Sequence, residues 1–178
     1  LNLPHPGLII SLVVMFGGLF AINALKNSAW ALVVLFAWTG FLGMTLGPIL
    51  NMYLQMFSNG HQLIMMAMGG TGITFLALSG YVLTSRKDFS FMGGFLMAGI
   101  IVAVLASLAL IFFPVPAASL AISAVVVMLM CGFILYDTSN IIHGHQTNYI
   151  LATVGLYLNI YNLFLNLLQL LAAFNGDD

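Results

Sequence analysis

A chain of 178 residues that is 62% hydrophobic and only 4% charged, with a mean hydropathy of +1.15, has too little polar surface to cover a water-soluble globule. Its net charge of -1 supplies neither the basic field that nucleic acid needs nor an acidic field for a cationic partner. The lipid bilayer is therefore its solvent, and nucleic acid is excluded as a partner.

Six apolar stretches approach the roughly 20 residues that cross about 30 Å of hydrocarbon. The first runs from about Gly7 to Leu25, and the residues before it lack a charged segment and cleavage site, so the start at Leu1 reads as a fragment boundary, not a signal peptide. The second runs from Ala29 to Leu50, the third from Leu63 to Leu83, and the fourth from Phe89 to Phe113. The fifth covers about Ala117 to Ile142 and the sixth about Tyr149 to Phe174. Each connection is short, and Pro114 and Pro116 stop one helix and start the next. Loops of this length predict hairpins whose successive helices are antiparallel neighbours. The expectation is an all-α, polytopic transmembrane helix bundle of about six helices, forming one domain over residues 1–178.

Lys26, Arg86 and Lys87 fall in the first and third connections, which places those loops in the cytoplasm together with the fifth, carrying His143 and His145. Gly40, Gly43 and Gly47 on the second helix, Gly69, Gly70 and Gly72 on the third, and Gly93, Gly94 and Gly99 on the fourth predict close helix packing. Gly47 and Pro48 are the candidate hinge, because proline frees a carbonyl one turn earlier.

Asp137 is the only acidic residue inside a span. A carboxylate there costs about 2.5 to 3.5 kcal/mol on insertion scales, so it should face protein or water. Asn159, Asn162, Asn166 and Gln169 recur at helical spacing on the last helix and predict an inward polar stripe. In an antiparallel hairpin Asp137 comes level with Leu156 to Asn159, which makes Asp137 and Asn159 neighbours. Such a cluster either clips helices together, at about 0.6 to 2 kcal/mol per hydrogen bond, or titrates so that the charged form opens the bundle or attracts a cation.

Enzyme chemistry finds little support in these residues. An aspartyl protease in the membrane needs two carboxylates and the spans hold one, and no span carries a histidine to activate Ser79 or Ser123. His5, His61, His143 and His145 lie outside the spans, and the last two alone make a weak metal signal. Cys131 reads as a small buried hydrophobe, and no cofactor motif is present. The expectation is a non-enzyme without metal or cofactor.

Several segments resemble a known family: Thr39 to Gly43 leading into Leu46-Gly47-Pro48-Ile49-Leu50-Asn51, Tyr81 to Phe91, Leu120 to Ala124, Tyr136 to Gly144, and Thr147 to Ile150 with Ala152-Thr153. In this order they are similar to the YccA branch of the Bax inhibitor-1 family over nearly the whole chain. The resemblance implies seven transmembrane helices, of which this chain holds the second to the seventh, in a multi-pass protein of the bacterial inner membrane. It also implies a pH-sensitive calcium or proton leak controlled by two aspartates. Asp137 matches the first, whereas the second falls in Leu156-Tyr157-Leu158-Asn159, where asparagine stands. The candidate proton- or cation-sensing set is therefore Asp137, Asn159, Asn162 and Tyr157, with the carboxylate dyad broken. The branch resemblance implies instead a binding role as a modulator of FtsH, the membrane protease. A structural bundle without conduction is the remaining alternative.

Overall fold

The computed structural model describes residues 8–144 and 146–175, with side chains described for 13–144 and 146–174. Among the described residues six α-helices follow one another: α1 (Leu8–Leu25), α2 (Trp30–Met56), α3 (Gly60–Ser85), α4 (Gly93–Phe112), α5 (Pro116–Ile142) and α6 (Tyr149–Asn175). A 3-10 turn, Ser90–Met92, leads into α4. Five of these helices, α4 being taken with its leading turn, are long and apolar enough to cross a membrane, and α1 has 18 residues. The chain is thus an all-helical polytopic bundle. Apolar side chains such as Phe36, Phe95, Ile111 and Met128 stand outward, as expected where the surrounding medium is hydrocarbon.

The termini of these helices follow local chemistry. Pro116 occupies the first turn of α5, where its missing N–H is not needed. Arg86 ends α3 in the left-handed region at φ 55°, and Gly144 turns the chain after α5 at φ 79°. Asn148 caps α6, its Oδ1 accepting from the Ile150 and Leu151 N–H groups at 3.0 and 3.2 Å.

The α6 helix is central and packs against α5, α3, α2 and α1. Trp38 of α2 joins Ile22 of α1 with Ile150 and Val154 of α6 in one apolar cluster. Leu163 of α6 meets Leu96 of α4 and Ile134 of α5 in a second, and Leu168 meets Leu63 and Ala67 of α3 in a third.

Several sequence expectations require correction. The second helix does not end near Leu50 but continues through Pro48 to Met56, so Gly47 and Pro48 sit inside an unbroken helix. Successive helices are not all neighbours: among the described residues α3 and α4 do not touch, and α5 packs against both. The α3–α4 loop instead crosses the end of α5, where Phe89 N–H donates to Ser139 Oγ at 2.8 Å. The glycines of α2 do not act as packing sites within the chain, since a Cβ at Gly40, Gly43 or Gly47 would meet nothing within 4 Å. Close approach falls instead at Gly99 and Gly132, which lie against Leu129 and Leu96 so that α4 and α5 interlock, and at Gly60 in the α2–α3 turn.

The three loops bearing or facing the basic residues converge on one end of the bundle. Asn148 Nδ2 donates to the Lys26 carbonyl at 2.9 Å, which ties the fifth connection to the first. His143 Nε2 lies 2.8 Å from the Arg86 carbonyl and ties it to the third.

Candidate functional site

Asp137 lies about one and a half turns before the end of α5, level with the second and third turns of α6. Asn159 Nδ2 donates to Asp137 Oδ2 at 2.6 Å, and Asn159 is 6% exposed. Gly155, one turn earlier on α6, lets the carboxylate approach: a Cβ there would stand 3.3 Å from Asp137 Oδ2. Next to Asp137, Thr138 Oγ1 lies 3.4 Å from Ser79 Oγ, linking α5 to α3. The carboxylate is thus held at the α5–α6 contact by an amide, not by a second acid.

The remaining amides of α6 do not join that pair. Asn162 Nδ2 and Asn166 Nδ2 donate to the carbonyls one turn back, those of Leu158 and Asn162, and Gln169 Nε2 donates to Ser119 Oγ at 3.1 Å. These three amides, with Ser107, Ser119 and Ser123, line a cleft of about 680 Å³ between α4, α5 and α6. It opens where the α4 and α6 backbones stand apart, beyond the packing of Leu96 and Leu163, and it lies toward the end opposite the tied loops. Its inner limit at Asn162 is about one helical turn from Asn159.

Tyr157 is not part of the Asp137 cluster. It faces α2, where its hydroxyl donates to the Thr39 carbonyl at 3.3 Å and its ring lies 5.9 Å from Trp38. With Tyr161, which meets Thr45 Oγ1 at 2.9 Å, it borders an apolar cleft of about 410 Å³ between α2, α3 and α6. Gly47 and Pro48 lie on α2, away from the α5–α6 contact. The proposed pairing of His143 with His145, and the position of His5, fall outside the described residues. Among the described residues no group of three or more His, Cys, Asp or Glu side chains comes together.

Sequence reasoning did not single out Ser139 or Gly155. Each stands on the α5–α6 hairpin close to Asp137, and Ser139 is fully buried and bonded to the α3–α4 loop. Its position two residues after Asp137 was visible, but its loop partner was not.

Residues 1–176 match the family described as "Inhibitor of apoptosis-promoting Bax1". The chain belongs to this family. It is 51% identical over 177 residues to the Escherichia coli protein named "Modulator of FtsH protease YccA", covering 99% of this chain and 80% of that protein. An uncharacterized Pseudomonas aeruginosa protein is 49% identical over 178 residues, covering 100% of this chain and 80% of its own. The "Golgi anti-apoptotic protein" of vaccinia virus is 36% identical over 172 residues, at 94% of this chain and 70% of its own. These family members are named as modulators, anti-apoptotic proteins or uncharacterized proteins, not as enzymes. A second Escherichia coli relative at 51% identity carries the name "Inner membrane protein YccA". With five helices able to span, the chain is a multi-pass inner-membrane protein.

Proposed function

We propose that this chain modulates an FtsH-type membrane protease, acting by binding rather than catalysis, as one helical bundle domain over residues 1–178. The observation that carries this reading is 51% identity, over almost the entire chain, to a relative named for that role. The Asp137–Asn159 pair supports it, since an amide stands where a shared-proton dyad would need a second carboxylate. The test is affinity purification of the tagged protein from membranes, with pulse-chase measurement of FtsH substrates. Co-purification with altered substrate lifetimes is the expected result; absence of both refutes the reading.

A second reading, a pH-sensitive leak for calcium or protons, draws on the amide- and hydroxyl-lined cleft that ends one turn from Asn159. In it Asp137 is the sensing group, Asn159 and Asn162 lead the ion toward it, and Tyr157 and the Gly47–Pro48 segment respond through α6 and α2. Flux from liposomes loaded with a calcium or pH dye tests it, comparing the wild type with Asp137→Asn. Identical profiles reject it and leave the Asp137 cluster as a structural clip.

A further inference from the structure

Both ring nitrogens of His143 face main-chain carbonyls. Nε2 lies 2.8 Å from the Arg86 oxygen, and Nδ1 lies 3.0 Å from the Ser139 oxygen one turn back. A carbonyl oxygen only accepts, so both contacts are hydrogen bonds only when each nitrogen carries a hydrogen, whereas a neutral imidazole carries one. The Ser139 hydroxyl completes the arrangement. It accepts from Phe89 N–H at 2.8 Å, and its own hydrogen reaches Asp88 Oδ1 at 3.3 Å or the Lys87 carbonyl at 3.4 Å. The same hydroxyl is 3.5 Å from His143 Nδ1.

We propose that His143 and Ser139 form a proton-dependent latch that fastens the α3–α4 loop to the C-terminal end of α5. With two ring hydrogens, His143 bridges the Arg86 and Ser139 carbonyls, and the Ser139 hydroxyl is left to hold the loop. Loss of one proton removes a tie whichever nitrogen gives it up. If Nε2 is bare, it opposes the Arg86 carbonyl. If Nδ1 is bare, the Ser139 hydroxyl at 3.5 Å can answer it by turning its hydrogen away from Asp88 and Lys87.

The loop brings Asp88 to the latch through its Oδ1 and carries Arg86 and Lys87, the Lys87 ammonium lying over the Tyr81 ring. His145 follows His143 in the sequence. From the α5–α6 connection come the uncharged Gln146 and Asn148, while α6 opens with the exposed Tyr149. The latch uses neither Asp137 nor Asn159, so it stands or falls independently of the leak reading.

The experiment is hydrogen–deuterium exchange of the whole chain in lipid nanodiscs at about pH 5.5 and about pH 8, corrected for intrinsic exchange, read at the Phe89 amide. Protection in the wild type is expected to fall about 10-fold or more at the higher pH. His143→Gln, which presents one donor group at any pH, is expected to show low protection at both. Nitrogen-15 spectra of labelled histidine should show a doubly protonated His143 ring while the loop is protected. Equal protection at both pH values, or a neutral His143 ring in the protected state, overturns the proposal. If His143→Gln does not fold, the wild-type pH comparison and the nitrogen spectrum decide the matter alone.

Discussion

Asn159 donates its amide hydrogen to Asp137 across the α5–α6 contact at 2.6 Å, the most direct side-chain link between the last two helices. An amide can serve the carboxyl group in either protonation state, because it both donates and accepts. Asp137→Asn keeps a partner for Asn159 and is expected to change unfolding stability in mild detergent by less than about 1 kcal/mol. Asn159→Leu leaves the acid without its donor at membrane depth and is expected to cost about 1 to 3 kcal/mol. Thermal unfolding of the two variants side by side checks the order.

Replacing the amide by a second acid steepens the pH dependence. In Asn159→Asp the two carboxyl groups stand at hydrogen-bond distance, where one shared proton holds them together and its loss sets like charges against each other. Stability of this variant should fall as pH rises more steeply than that of the wild type, whose single carboxylate lacks the like-charge repulsion. If the cleft leads to an ion path, flux through this variant should acquire or sharpen a pH dependence. Unfolding curves and liposome flux over the same pH series separate the two outcomes.

The α2–α3 turn is closed by a close approach that only glycine permits. A Cβ on Gly60 would stand 2.7 Å from the Tyr53 carbonyl oxygen and 2.9 Å from the Leu54 Cα, both backbone atoms that cannot swing aside. Gly60→Ala should therefore destabilise by about 1 to 3 kcal/mol, despite alanine's better helix propensity. Gly43→Ala, where the Cβ meets nothing within 4 Å, should be neutral or slightly stabilising in the same unfolding assay.

Asn148 performs two tasks that substitution can separate. Its Oδ1 caps α6 and its Nδ2 ties the loop to the Lys26 carbonyl. Asn148→Asp keeps the cap and loses the tie, while Asn148→Ala loses both and should cost about 0.5 to 2 kcal/mol more. Limited proteolysis at the α1–α2 loop should rise in both variants, with thermal stability falling further in the alanine form.

Apart from the end of α2, the approximate ends of the spans and the level of Asp137 against Asn159 were legible in the sequence, because length and the hairpin constraint set both. Which face of each helix points inward was much less so. Apolar residues cover α1 to α5 on all sides, and a helix immersed in lipid has no polar face to mark its outside. Tyr157 accordingly looked like a neighbour of Asn159, yet it lies on the side of α6 that meets α2. Likewise the apolar run suggested an end near Leu50, and α2 continues to Met56. The seat of the α3–α4 loop over α5 depends on a serine hydroxyl 50 residues away from its partner amide, a distance that no local pattern reveals.

Among the described helices the α4 backbone comes close to α5 only, and at 20 residues α4 is shorter than the 27-residue α5 and α6 that flank its cleft. Its length matches about 30 Å of hydrocarbon, so in a thicker or thinner bilayer it is the member freest to lean. Leaning away from α6 would widen the amide-lined cleft, and leaning inward would narrow it. Acyl-chain length would in this way set the aperture of a polar crevice that no soluble ligand needs to touch.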